Sequence, residues 1–105
     1  MKHVSLGGLT IGNDRPLTLI AGPCQLESRD HALMIARALQ EACAQAGAGL
    51  IFKASFDKAN RTSLSGKRGV GLEAGLEILA DLRGTLGIPV LTDVHAPEHC
   101  APAAQ

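Results

Sequence analysis

Three short apolar runs recur along this chain of 105 residues: Leu17-Thr18-Leu19-Ile20-Ala21, Gly49-Leu50-Ile51-Phe52-Lys53-Ala54 and Ile88-Pro89-Val90-Leu91-Thr92. Each is nearly continuous rather than alternating, the pattern of a strand covered on both faces of a parallel sheet. Ser28 is placed to cap a helix running to about Ala46, with Ala32, Leu33, Ala36, Leu39, Cys43 and Ala46 near one face. Gly47 and Gly49 stop it. A second helix is expected from roughly Leu72 to Thr85, with Leu76, Leu79 and Leu82 inward and Gly87 as its stop. Pro97-Glu98 reads as the first turn of a third. Strands alternating with helices of this length define right-handed parallel βαβ units, hence an α/β fold. Ahead of them, Val4-Ser5-Leu6 and Leu9-Thr10-Ile11 flank Gly7-Gly8 and predict a β-hairpin.

Parallel βα units build either an open doubly wound sheet or a closed (β/α)8 barrel. No G-x-G-x-x-G follows the first strand, so the dinucleotide fingerprint is absent. A barrel takes roughly 250 residues, and three parallel strands alone leave open edges. The chain is therefore expected to be the N-terminal part of a larger enzyme, residues 1–105 forming a portion of one domain.

Composition narrows the function. Ten basic and ten acidic side chains cancel, which argues against duplex DNA as a partner. No apolar run approaches the roughly 18 residues of a membrane span, and the first residues lack the apolar core of a signal peptide. The expectation is a cytoplasmic protein with neither nucleic acid nor membrane as partner. Cys24, Cys43 and Cys100 are odd in number, widely spaced and without a C-x-x-C pair, against both a disulfide framework and a four-thiolate zinc site.

Functional groups of parallel α/β folds gather at the C-terminal ends of the strands. Here those ends read Gly22-Pro23-Cys24, Lys53-Ala54-Ser55 and Thr92-Asp93-Val94-His95, all carrying polar or reactive side chains. Five of the ten basic residues (Lys53, Lys58, Arg61, Lys67 and Arg68) fall between positions 53 and 68, interleaved with Ser55, Asn60, Thr62, Ser63 and Ser65. Such a stretch suits phosphate or carboxylate groups held by charge-assisted bonds, although most charge runs are solvated faces. Lys53 directly follows Leu50-Ile51-Phe52, so partial burial and a need for an anion are expected of it. Read singly, Cys24 is a metal ligand, a reactive thiol or a buried small hydrophobe, and His95 a ligand, an acid–base group or a core histidine. The two could share a site across strand ends, but two ligands do not make a metal site. Cys43 and Cys100 are assigned to packing. His3, His31 and His99 lie at surface or helix positions with no evident partner. Glu73 and Glu77 suit the positive end of a helix dipole.

Together, Ile20-Ala21-Gly22-Pro23-Cys24, Glu27-Ser28, the run Phe52-Lys53-Ala54-Ser55-Phe56-Asp57-Lys58-Ala59-Asn60-Arg61-Thr62-Ser63, Arg68-Gly69, Gly71-Leu72-Glu73 and Thr92-Asp93-Val94-His95 resemble the 3-deoxy-D-manno-octulosonate 8-phosphate synthase family. The match runs in order along nearly the whole chain, and the segment Lys53 to Ser63 is its most specific part. A sister family, the 3-deoxy-D-arabino-heptulosonate 7-phosphate synthases, shares the GPC turn but typically carries a KPRT string where this chain has Lys58-Ala59-Asn60-Arg61-Thr62. Ser65-Gly66-Lys67 departs from the commoner His-Ser-Tyr or Ser-Phe of the octulosonate family.

The resemblance implies a (β/α)8 TIM barrel, three of whose eight parallel strands lie here, with residues 1–12 as a hairpin closing its bottom. It implies condensation of phosphoenolpyruvate with D-arabinose 5-phosphate, releasing phosphate, for lipopolysaccharide biosynthesis. Lys53 and Lys58, with Ser55, would hold phosphoenolpyruvate; Asn60 would position the arabinose phosphate; Arg61 and Thr62 would grip its phosphate. Asn60, Asp93 and His95 would line the reacting carbons as catalytic residues. Cys24 stands where metal-dependent members carry a cysteine ligand and the others typically an asparagine. It would bind a divalent metal (zinc, iron or manganese) whose other ligands, a His, a Glu and an Asp, are expected beyond residue 105. The family further implies a homo-oligomer, a tetramer at full length, while the 105 residues alone are expected to be inactive. Two alternatives stand beside this: the heptulosonate synthase, and a non-catalytic fragment that self-associates.

Overall fold

The structure is a computed structural model that describes residues 2–57 and 70–105. β1 (Val4–Leu6) and β2 (Leu9–Ile11) pair antiparallel, with Val4 opposite Ile11. A parallel sheet follows in the order β3 (Thr18–Ala21), β4 (Gly49–Lys53), β5 (Val90–Leu91). α1 (Arg29–Ala46) and α2 (Leu72–Leu86) cross between its strands, and Pro97–His99 forms a single 3-10 turn that leads into α3 (Cys100–Ala103).

Local chemistry sets the helix limits. The Ser28 hydroxyl accepts the His31 N–H at 3.1 Å, satisfying an otherwise orphan donor of the first turn of α1. Gly47 and Gly87 end α1 and α2 in left-handed conformations, with φ of 71° and 66°. α2 starts after Gly71 without a side-chain cap; Glu73 sits in its first turn, at the positive end of the dipole.

Both helices cover one face of the sheet. Leu50 and Phe52 of β4 point into a cluster with Ala32, Ala36 and Cys43 of α1 and Ile78, Leu79 and Leu82 of α2. Ala46, expected inward, is exposed, because it sits in the last turn of α1, past the part that meets the sheet. Leu76 is half-buried, and Ile78 takes a core place that the leucine spacing did not single out.

β4 meets the expectation of burial on both faces, with Leu50, Ile51 and Phe52 all buried, while the outer strands depart from it. Among the described residues β3 pairs with β4 alone, and Leu17, Leu19 and Ile20 are exposed. Register places Ile20 beside Ile51 and Lys53 beside Leu91, on the face opposite the helices. No described element covers Ile20 or Leu91 there. The third strand is shorter than its apolar run, only Val90 and Leu91 counting as strand. Pro89 has no N–H to give, yet its carbonyl still accepts from Phe52 at 2.9 Å.

The hairpin lies against the N-terminal ends of the strands. A side chain at Gly49 would meet Leu9 of β2, and one at Gly7 would meet the Pro89 ring. The strands finish at the opposite end.

Candidate functional site

Three strand ends are stitched together by their backbones. Beyond β3, the Ser55 N–H donates to the Cys24 carbonyl at 3.3 Å, and the Leu26 N–H donates to the Ser55 carbonyl at 2.8 Å. These bonds make Gln25 and Ser55 a further parallel bridge beyond the ends of β3 and β4. On the other side, the Ala54 N–H donates to the Leu91 carbonyl at 3.2 Å. The approach of β3 to β4 depends on Gly22, where a Cβ would overlap the Lys53 carbonyl.

Ser55, nearly fully buried, organises the turn after β4. Its hydroxyl donates to the Asp57 carbonyl at 2.6 Å and accepts the Asp57 N–H at 3.2 Å. The His95 Nε2 lies 2.9 Å from that same carbonyl and 3.4 Å from the Ser55 oxygen. A carbonyl only accepts, so the arrangement assigns the proton to Nε2 and leaves Nδ1 as the acceptor nitrogen of His95. An Asp93 carboxylate oxygen stands 3.7 Å from His95 Nε2, while its other oxygen, Oδ1, is buried without a hydrogen-bond partner among the described residues. Phe56, buried, sets its ring against both His95 (centroids 5.5 Å apart) and His99 (5.3 Å).

Of the residues expected at the site, the structure brings Ser55, Asp93 and His95 together at the ends of β4 and β5. Lys53 closes β4 on the open face of the sheet, half-buried as expected, and has no ion-pair partner among the described residues. Lys58, Asn60, Arg61 and Thr62 lie outside the described residues, as does most of the basic stretch between positions 53 and 68.

Cys24 is exposed among the described residues, so nothing described packs it as a buried small hydrophobe. Its strand and that of His95 are not neighbours, since β4 runs between them. Among the described residues no three His, Cys, Asp or Glu side chains form a group able to hold a metal ion. Among the described residues one accessible thiol is thus the donor that fits a metal at this turn, and by itself it makes no site. Cys100, assigned to packing, is exposed at the start of the short α3, whereas Cys43 is buried in the core.

The histidines without evident partners acquire them. His3 Nε2 meets the Asp14 carboxylate at 2.6 Å, and His31 Nε2 meets that of Glu27 at 3.4 Å. The His95 N–H donates to His99 Nδ1 at 3.2 Å. His99, Phe56 and the Asp57 carbonyl are the parts of the site that sequence reasoning missed. The signal for His99 was its spacing of four from His95 across Pro97, one helical turn; a main-chain carbonyl leaves none.

A parallel βαβαβ unit whose strand ends collect Lys, Ser, Asp and His side chains has the arrangement of the α/β folds that gather functional groups at strand C-termini. The chain belongs to the DAHP synthetase I family, whose model matches residues 2–105. Proteins named 2-dehydro-3-deoxyphosphooctonate aldolase are similar to it. That of Nitrobacter winogradskyi is 60% identical over 102 residues, which is 97% of this chain and 36% of the relative. That of Methylobacterium radiotolerans is 62% identical over the same length and shares. That of Rhizobium meliloti is 58% identical over 99 residues, 94% of this chain and 35% of the relative. The chain thus spans about a third of the length of the curated relatives it matches.

Proposed function

We propose that this chain provides the first three βα units of a 3-deoxy-D-manno-octulosonate 8-phosphate synthase, the enzyme that the names of its relatives denote. The observation that carries the reading is the convergence of Lys53, Ser55, Asp93 and His95 at one end of a parallel sheet, in a chain 60% identical to such a relative over 97% of its length. In the reaction, phosphoenolpyruvate, D-arabinose 5-phosphate and water give the eight-carbon acid and inorganic phosphate. A carbon–carbon bond forms between the enol carbon and the aldehyde, and phosphate leaves with its ester oxygen replaced by one from water.

The residues fit that demand in part. Both substrates are anions, and Lys53 offers a half-buried ammonium with no described counter-ion. Lys58 would share the phosphoenolpyruvate, Asn60 would position the aldehyde sugar, and Arg61 and Thr62 would hold its phosphate. The Ser55 hydroxyl hydrogen is committed to the Asp57 carbonyl, so a bond from Ser55 to phosphoenolpyruvate requires that one to exchange. Asp93 and His95 would face the reacting carbons, the Asp93 carboxylate, whose buried Oδ1 has no hydrogen-bond partner among the described residues, and the acceptor nitrogen of His95 taking protons from hydroxyls or water. Holding two anions in attack geometry supplies much of the rate.

In this reading the sheet continues into a (β/α)8 barrel within one domain, and residues 1–12 close its bottom. The hairpin's place against Gly49 and Pro89, at the strand N-termini, supports that role. The whole enzyme is a cytoplasmic tetramer. Cys24 is one ligand of a divalent metal (zinc, iron or manganese), the others lying beyond residue 105. Metal analysis checks this last point: the full-length protein carries stoichiometric metal, and Cys24→Ser loses most of it.

Phosphate release by the full-length protein tests the function. The expected result is release that requires both phosphoenolpyruvate and arabinose 5-phosphate and is abolished by Asn60→Ala. Turnover with erythrose 4-phosphate in place of arabinose 5-phosphate would point instead to the heptulosonate synthase.

A further inference from the structure

The geometry points to His99 as a positioning residue for the reaction: it holds the backbone and ring of His95 in place beyond the end of β5. The inference rests on the function proposed above, since that reading sets His95 at the reacting carbons.

The contacts form one chain of support. His99 Nδ1 accepts the backbone N–H of His95 at 3.2 Å. That bond crosses the 3-10 turn begun by Pro97 and holds the peptide of residue 95 to the turn. The two imidazoles stand nearly perpendicular, at 88°, with the buried Phe56 ring against both. So placed, the His95 ring directs Nε2 at the Asp57 carbonyl, 2.9 Å away, where the Ser55 hydroxyl also donates. Two donors on one carbonyl tie His95 to the turn after β4 and set the orientation of its ring.

The bond also constrains His99 itself. Nδ1 must carry a lone pair, so its proton resides on Nε2. An acceptor at the Nδ1 position is the chemical requirement, and a ring against Phe56 the packing one. Two substitutions separate them. His99→Phe keeps a ring and removes the acceptor. His99→Asn places an amide oxygen where Nδ1 was and gives up most of the ring.

In the full-length protein, His99→Phe is expected to lower kcat about tenfold, the scale of losing a bond that orients groups at a reacting centre. KM for phosphoenolpyruvate should change much less, because Lys53 belongs to β4 and not to this support. His99→Asn should restore kcat to within about threefold of the parent. An unaltered kcat in His99→Phe overturns the inference, as does a His99→Asn enzyme no better than His99→Phe. The His95 amide proton resonance gives a readout independent of turnover: it should shift in His99→Phe and return in His99→Asn. A parent protein inactive with both substrates sinks the functional reading, while an unmoved His95 amide sinks the role of His99.

Discussion

Lys53 shows what a single residue contributes here. It ends β4, which pairs with a strand on each side, and is half-buried and without a described counter-ion. A partly desolvated ammonium without an anion is costly to the fold and favours an anionic ligand. Lys53→Met keeps the aliphatic stem and removes the charge. It should raise KM for phosphoenolpyruvate about tenfold or more, with the melting temperature of the free protein unchanged or higher. A variant that loses stability without losing affinity would make Lys53 a structural cation. Gly22 is the reverse case, a residue whose value lies in what it lacks. Gly22→Ala sets a methyl group against the Lys53 carbonyl and must spread β3 from β4 at the site end. The expected cost is about 1–3 kcal/mol in denaturant unfolding, with a loss of turnover because Cys24 and Ser55 are joined through the same backbone.

At the scale of elements, α1 is the most self-contained. Ser28 caps it, and Asp30 lies in its first turn, favourable to the helix dipole. Ser28→Ala should cost about 1 kcal/mol, measurable as a fall in the urea midpoint with unchanged slope and unchanged KM. These signals are local, which is why both limits of α1 were legible in the sequence to within a residue. The ends of β4 and α2 were legible for the same reason, as Gly49 and Gly87 mark them. The third strand was overread, since an apolar run reports burial while strand length depends on neighbours. The site divides in the same way. Polar residues after each apolar run could be read directly, because chain direction alone puts strand C-termini on one side. The mutual placement of Ser55, Asp57, His95 and His99 could not, because 40 residues separate Ser55 from His95 and a main-chain carbonyl joins them. Cys100 was misjudged because a cysteine on a helix is usually packed, whereas among the described residues nothing covers its side of α3.

Among the described residues the molecule leaves the outer strands of its sheet bare on one face. Leu50 and Phe52 are sealed under two helices; on the opposite face Ile51 of the central strand is buried, but Ile20 and Leu91 of the flanking strands are 56% and 42% exposed. Each outer strand pairs with β4 alone among the described residues. A solitary apolar side chain on a surface is unremarkable, but apolar side chains along one sheet face, flanked by unpaired strand edges, favour association. In the proposed enzyme, further βα units cover that face and pair those edges. The 105-residue polypeptide prepared on its own should therefore self-associate, its sedimentation coefficient rising with concentration, and should release no phosphate from its two substrates. Replacing Ile20 and Leu91 together with aspartate should suppress that association without disturbing the helix-side core, leaving far-ultraviolet dichroism intact. A stable folded monomer of the unaltered 105 residues, unchanged across concentration, would mean that the bare face needs no cover, and the partial-barrel architecture would fall with it.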